Sequence, residues 1–482
     1  MPTRRELIDA LAAAVGREHV LWRPEDLLVY EFDGTIEKKQ PYAVVFPDGA
    51  EQVASVVRIC NQLRIPITPR GAGTGLSGGA VPARRGVVVA TARMRRILEI
   101  DPVDRVAVVE PGVANIQLTE AAAKQGLFYA PDPSSQKACT IGGNVAENAG
   151  GPHCLALGVT QNHVLGVEVV TASGEIMWLG GRVPDAPGYD LRGAFIGSEG
   201  TLGIATKVLV KLLPAPARVV TLLGIFDSVE EASETVSAII SAGMVPAAME
   251  MMDQLTLQAA EAGMQCGYPP DAGAVLLVEL DGLADAVERD AATARACCLE
   301  HGAREVRDAR DAAERENLWR GRKGAIGALG RIAPNYYILD GVVPRSKLVE
   351  VMGTVKEVAA RYDLPIANVF HAGDGNLHPL VLFDERVPGT TARVLEAGGE
   401  IMQACIDAGG TLSGEHGIGF EKRGFMPWLY SESDLENMER LRPAFGNYGD
   451  FNPCKLLPTG TGCGEMGNQA TALRAAGPDA YV

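Results

Sequence analysis

One stretch constrains this chain more than any other: Pro69-Arg-Gly-Ala-Gly-Thr-Gly-Leu-Ser-Gly-Gly-Ala-Val-Pro82. Within it, Gly73-x-Gly75-x-x-Gly78 reproduces the letters of the dinucleotide-binding fingerprint, but that fingerprint must open a helix whose N-terminus meets the pyrophosphate. Here Gly79 and Pro82 follow, then the β-branched run Gly86–Thr91, so no helix is expected. A loop of successive glycine N–H groups still forms an anion nest without a helix. Two further Gly-rich segments, Cys139–Gly151 and Gly197-Ser-Glu-Gly-Thr-Leu-Gly203, are expected to be turns of the same kind. Three such segments within one region suit a single extended phosphate-bearing ligand lying along backbone.

The flanking pattern is α+β. Glu51–Leu63 carries Val53, Val56, Val57 and Cys60 at helical spacing, while Ile65–Thr68, Val106–Glu110, Val164–Thr171 and Ile204–Leu212 read as strands. Pro214-Ala-Pro216 breaks the pattern and sets an expected boundary: 1–215 as one domain, 216–425 as a second, and 426–482 as a C-terminal segment returning to the first, with a loose tail from about 460. In the second domain, Val219–Phe226 and Ala274–Leu280 read as strands. Helices are expected near Ser228, over about 284–301 and near Ser431–Leu441.

Composition excludes several classes. The net charge of −16 makes nucleic acid or an anionic membrane a poor partner. No apolar run approaches the roughly 18 residues of a membrane span. The charged start Met1-Pro-Thr-Arg-Arg-Glu lacks a signal peptide's apolar core and reads as a surface helix with Leu7, Leu11 and Val15 on one face, so a cytoplasmic location is expected. The nine cysteines form no C-x-x-C, which argues against a zinc ribbon or an iron–sulfur cluster on this chain.

A second constellation is Val369-Phe-His-Ala-Gly-Asp-Gly-Asn-Leu-His-Pro379. Asp374-Gly375 is a strong two-residue hairpin signal. It would set His371 directly opposite His378, close enough to share a metal ion, although two solvated hairpin histidines fit the same spacing. Ser413-Gly-Glu-His-Gly-Ile-Gly419 adds Glu415, a carboxylate, and His416, a titratable base. Two His and one carboxylate suit a divalent metal such as Zn, Mn or Fe. Asn317-Leu-Trp-Arg-Gly-Arg-Lys323 supplies candidates for carboxylate recognition in Arg322, Arg320 or Lys323; a solvated basic helix face is the alternative.

Taken together, the loop at 69–82, Pro131-Asp-Pro133, Gly142-Gly143-Asn144, Gly197-Ser-Glu-Gly200 and the histidine motifs resemble the FAD-linked D-2-hydroxyacid dehydrogenase family over about 20–457. The resemblance implies a two-part FAD-binding domain of vanillyl-alcohol-oxidase (PCMH) type plus an α+β substrate-binding cap. It implies that Pro69, Arg70, Gly71, Ala72, Gly73, Thr74, Gly75 and Ser77 hold the FAD pyrophosphate. Pro133, Thr140, Gly142, Gly143, Asn144 and Ala146 would lie along the flavin, with Glu199, Gly200, Gly203, Ile204 and Asn452 completing the cofactor contacts. Covalently flavinylated relatives carry a His in the first loop; none stands here, so FAD is expected to be non-covalent. The family's metal ligands fall on His371, His378 and Glu415, its base on His416 and its substrate arginine on Arg322.

Ile326 stands where relatives acting on 2-hydroxyglutarate have a Thr, and Asn335–Leu339 where they have a Lys, which leaves a second substrate carboxylate without a partner. A small monocarboxylate, glycolate or D-lactate, is expected, with hydride passing to flavin N5. The resemblance also implies electron-accepting partners, a second flavin-type subunit and an iron–sulfur subunit of a glycolate oxidase complex, through which peripheral membrane association would arise. The alternative is a free-standing D-lactate dehydrogenase using a quinone or other non-NAD acceptor. A colourless metallohydrolase, or a flavin-binding subunit without turnover, are the readings from other classes.

Overall fold

The computed structural model describes residues 3–183 and 187–458; the expected tail from about 460 lies outside the described residues. The chain divides into two compact units. Unit 1 comprises residues 1–150, 159–215 and 415 onward; unit 2 comprises 151–158 and 216–414. The return to unit 1 therefore comes at Glu415, earlier than 426, and a short excursion at Gly151–Gly158 belongs with unit 2.

Unit 1 opens with helix Arg4–Val15, started by a capping box in which Thr3 and Glu6 satisfy each other's orphan groups. Leu7, Leu11 and Val15 are buried on one face. This helix and Ala50–Leu63 share a core with a four-stranded sheet in which Ala43–Val45, Val87–Ala90 and Ile67–Arg70 run parallel and Val20–Leu21 closes one edge antiparallel. Burying a Val or Leu from such a face contributes about 1.5–3 kcal/mol. An antiparallel five-stranded sheet orders Ile97–Asp101, Val106–Val109, Gly203–Lys211, Val164–Thr171 and Ile176–Gly180 around a second core. After Gly78 no helix begins; the chain reaches strand Val87–Ala90 through turns. The segment at 139–151 differs from the expected turn. Thr140 accepts a hydrogen bond from Gly143 and caps helix Ile141–Glu147, so Gly142 and Gly143 form its first turn.

Unit 2 is built on an antiparallel sheet of nine described strands. Glu305–Asp308, Arg218–Phe226, Ala274–Gly282, Ala248–Asp253, Ile366–His371, Asn376–Leu377 and Gly341–Val342 follow one another, while Asn335–Ile338 and Pro379–Phe383 branch from Ile366–His371. Strand Ala274–Gly282 is buried from Ala274 through Leu280, as a strand covered on both faces must be. Helix Val229–Ser241 starts where the Ser228 side chain accepts from Glu231 N, with Glu230 and Glu231 in the first turn.

The hairpin register departs from expectation. His371 pairs with Asn376 and Asn368 with Pro379, so the loop is the four residues 372–375 rather than Asp374-Gly375 alone. Tertiary contacts override the tight turn. Gly373 N donates to Met249 O on the neighbouring strand, Val343 N donates to Gly375 O, and Asp374 Oδ1 accepts from Asn376 N. His378 then sits two places beyond His371's direct partner. A two-residue shift preserves which face a side chain occupies, where a one-residue shift would have reversed it.

Candidate functional site

In unit 1 the glycine loop leaves strand Ile67–Arg70. Gly73 has φ +74°, and a Cβ there would strike the Arg70 guanidinium. Arg70 is itself turned back, donating to Phe32 O at 2.8 Å and lying over the Tyr30 ring. None of the backbone N–H groups of residues 71–78, including those of Ala72, Thr74, Gly75 and Ser77, meets an acceptor among the described residues. The next two amides are satisfied, Gly79 by Ser77 Oγ and Ala80 by Asp33. Ser77 and Gly78 are buried, where donors are paired as a rule, and the half-exposed run of unspent glycine-loop amides before them fits an anionic ligand such as a pyrophosphate.

Around this loop the other cofactor candidates form a brace. Thr140 Oγ1 lies where a Cβ on Gly71 would collide with it. The Asn144 side chain accepts from Asn115 Nδ2 at 3.1 Å, and Ala146 O accepts from Glu199 N at 2.8 Å. Pro133 is buried, and Gly200 has φ +67° against Pro69. Asn452 is buried and donates to Gly79 O and Glu199 O, tying the glycine loop to the 197–203 turn, while its Oδ1 has no partner among the described residues. Gly203 and Ile204 open strand Gly203–Lys211, with Ile204 in the apolar core.

The structure gives the motif residues partners that the motifs did not reveal, and it adds Glu147. The Glu199 carboxylate accepts from Ile418 N and Gly419 N, both at 2.6 Å, and so holds the turn that follows His416. Glu147 accepts from Ser77 Oγ at 3.2–3.3 Å. Burial, with Glu199 nearby, raises the Glu147 carboxyl well above the usual range; burial pushes Glu199 up to about 7 against those two backbone donors. Lys455, fully buried, is pushed down to about 8 by burial and donates to Val81 O. His416 Nε2 lies 3.8 Å from Glu415 Oε1.

In unit 2, His371 and His378 stand ring to ring, centroids 5.2 Å apart and nearly perpendicular, both 3% exposed. His371 Nδ1 lies 2.8 and 2.9 Å from the two oxygens of Glu250, and His378 Nδ1 lies 3.1 Å from Leu339 O. A ring whose Nδ1–H is fixed by an acceptor presents Nε2 for coordination. Asp340 is 3.9 Å from His378 and accepts from Ser413 Oγ; Gly414, next along the chain, donates to Asp340 O. Helix Ala312–Ala328 buries Leu318, Trp319, Arg322 and Ala325 on one stripe. Of its three basic candidates only Arg322 turns fully inward, where it pairs with Glu250. Arg320 bonds Asn317 and Met264 O on the outside, and Lys323 lies over Trp319.

These two sites define a flavin-dependent oxidoreductase class. Residues 41–180 match the family described as FAD binding domain, and 215–456 match FAD linked oxidases, C-terminal domain. The chain belongs to the FAD-linked oxidases. It is 47% identical to the glycolate oxidase subunit GlcD of Escherichia coli (strain K12) over 465 residues, covering 96% of this chain and 93% of that protein. It is 41% identical to the subunit of the same name from Bacillus subtilis (strain 168), covering 89% and 92%. Against the D-lactate dehydrogenase of Anaerostipes hadrus the identity is 35%, covering 87% and 90%. The structure of p-cresol methylhydroxylase with substrate bound superposes with a TM-score of 0.79 at 20% identity, over 94% of this chain and 96% of that one. The fold is thus the α+β FAD-binding fold of vanillyl-alcohol-oxidase type with a cap. Among the described residues, no helix is long and apolar enough to cross a membrane.

Proposed function

We propose that the chain oxidises a small 2-hydroxy acid, glycolate or D-lactate, to the 2-oxo acid using non-covalent FAD and a divalent metal, as the FAD-binding subunit of a glycolate oxidase complex. The observation that carries the reading is the pair of buried imidazoles, each with Nδ1 held by a protein acceptor, beside a buried arginine. The names of the relatives point the same way.

The residues present fit both groups. The unspent amides of 71–78 would hold the FAD pyrophosphate, with Thr140, Gly143, Asn144 and Gly200 alongside, and no His in that loop offers an attachment point. His371 and His378 would supply two metal ligands through Nε2. Glu415 would be the third: it follows Gly414, which packs against Asn376 of the hairpin, and one peptide step spans only about 3.8 Å. The donor set of two imidazoles and a carboxylate suits Zn, Mn or Fe.

The reaction removes the α-hydrogen of the acid with its electron pair and the hydroxyl proton. FAD, when bound, supplies the hydride acceptor, and the metal supplies a Lewis acid that lowers the pKa of the hydroxyl. Arg322 would orient the substrate carboxylate. His416 would take the hydroxyl proton, and Glu199 keeps its loop in place by bonding the two amides beyond it. His416→Ala is expected to keep FAD bound while losing about 10²–10⁴ in turnover; near-normal turnover would remove His416 as the base. A D-lactate dehydrogenase working without partner subunits is the second reading, favoured by the relative from Anaerostipes hadrus.

A further inference from the structure

The strand Ala248–Asp253 runs antiparallel to Ile366–His371, and the register sets Glu250 directly across from His371. Its neighbours Met249 and Met251 are buried apolar residues, and the Glu250 side chain is itself 0% exposed. A carboxylate in such a place is costly unless its charge and lone pairs are matched. Glu250 is matched on two sides. Both oxygens reach His371 Nδ1, and Oε2 also forms an ion pair with Arg322. Arg322 Nη2 is in turn 3.5 Å from His371 Nδ1, so the two side chains meet around one carboxylate. The guanidinium is held through Nη2, while Nε beside it is buried with no partner among the described residues.

The geometry points to Glu250 as a positioning residue with two dependants. It fixes His371 in the tautomer whose Nε2 lone pair faces a metal, and by holding Arg322 through Nη2 it sets the orientation in which that guanidinium meets a substrate carboxylate. This inference rests on the metal and substrate roles proposed above. The two effects separate because they run through different neighbours. Losing the carboxylate weakens metal binding through His371 by about 10–100-fold, the range for removing a group that orients a metal-ligating histidine, whereas losing Arg322 leaves the histidine's partner in place.

The test is the affinity of the full-length, chelator-stripped flavoprotein for Mn(II), read by the paramagnetic resonance signal of the free ion, together with kcat and KM. Glu250→Gln is expected to bind Mn(II) about 10–100-fold more weakly, with flavin absorbance retained and KM raised. Arg322→Met is expected to raise KM with Mn(II) affinity near that of the parent. If Glu250→Gln does not fold, Glu250→Asp, which keeps the charge but draws it back by one methylene, is expected to show the same loss of Mn(II) affinity. Parental Mn(II) affinity in a folded Glu250 variant would overturn the inference while leaving the metal site standing. A parent protein that binds no Mn(II), or binds it equally with His371→Ala and His378→Ala, would overturn the metal site and this inference together.

Discussion

Glu279 in unit 2 and Glu147 in unit 1 are both buried carboxylates, and their surroundings treat them in opposite ways. In unit 2, Glu279 receives Thr221 Oγ1 at 2.9 Å, Trp319 Nε1 at 2.6 Å, Arg315 Nε and Nη2 at 2.9 Å each and His153 Nε2 at 3.2 Å. Burial alone would raise its pKa, but the hydrogen bonds from His153 and Arg315 prevail and hold it well below the usual carboxylate range. In unit 1, Glu147 has the Ser77 hydroxyl as its hydrogen-bond donor and Glu199 as a like-charged neighbour, and burial carries it well above that range. The desolvation has one sign in both places; the supply of donors differs. Around Glu279 arginine and histidine complete the electrostatics, whereas Glu147 lies beside a loop whose amides meet no acceptor among the described residues.

The largest effect that would test this contrast is on Glu279. Glu279→Ala strands Arg315, Trp319 Nε1 and Thr221 together and is expected to cost about 3–5 kcal/mol, the usual result of breaking a buried pair from one side. Denaturant unfolding followed by tryptophan emission, with Trp319 inside the affected network, measures it; an unmoved midpoint would break the comparison at its stronger end. Next in size is Asn452→Ala, which removes the two hydrogen bonds joining the glycine loop to the 197–203 turn. A loss of about 1–3 kcal/mol is expected, with FAD released more readily on dilution. Equal flavin retention would mean that the loop holds its shape without that brace.

The smallest effect is one of pH. Burial holds the Glu147 and Glu199 carboxyls above the ordinary glutamate value of about 4.5, so the folded state holds extra protons as pH rises from there toward about 7, and unit 1 loses stability across that window. Glu279 has the opposite sign: its contribution is present above about 4.5 and is lost as pH falls further. Glu147→Gln supplies the neutral form permanently and is expected to flatten the unit 1 slope, by at most about 1.4 kcal/mol per pH unit for one proton. Thermal melting of the variant across pH 5–8 with a slope like the parent's would show that Glu147 is not the titrating group.

The pattern of this molecule was legible where it was local. Helix Ala284–Glu300 and strand Val164–Thr171 follow from periodicity and β-branching, and Ser228 announces its helix through its capping chemistry. The hairpin length was not legible, because Met249 O on a neighbouring strand and Val343 N just past strand Gly341–Val342 decide where the turn closes. Glu279 was hidden inside a run, Ala274–Leu280, that reads as a plain core strand, and Glu250 lies in Ala248–Asp253, a strand that the sequence pattern does not announce. The one signal was a carboxylate in an otherwise apolar run, which asks for a partner that only the fold reveals. Glu199 reads as part of a glycine turn, yet its carboxylate serves Ile418 and Gly419, far along the chain, a pairing no local pattern encodes.

The central claim, that a flavin in unit 1 oxidises a small 2-hydroxy acid, is tested most directly by the anaerobic visible spectrum of the purified chain before and after glycolate and then D-lactate. Bleaching of the flavin band is predicted, with the faster acid naming the substrate. A flavin band that neither acid bleaches in metal-replete protein would contradict the proposed substrate class. Folded protein that shows no flavin band and cannot be reconstituted with FAD would contradict the reading of the glycine loop.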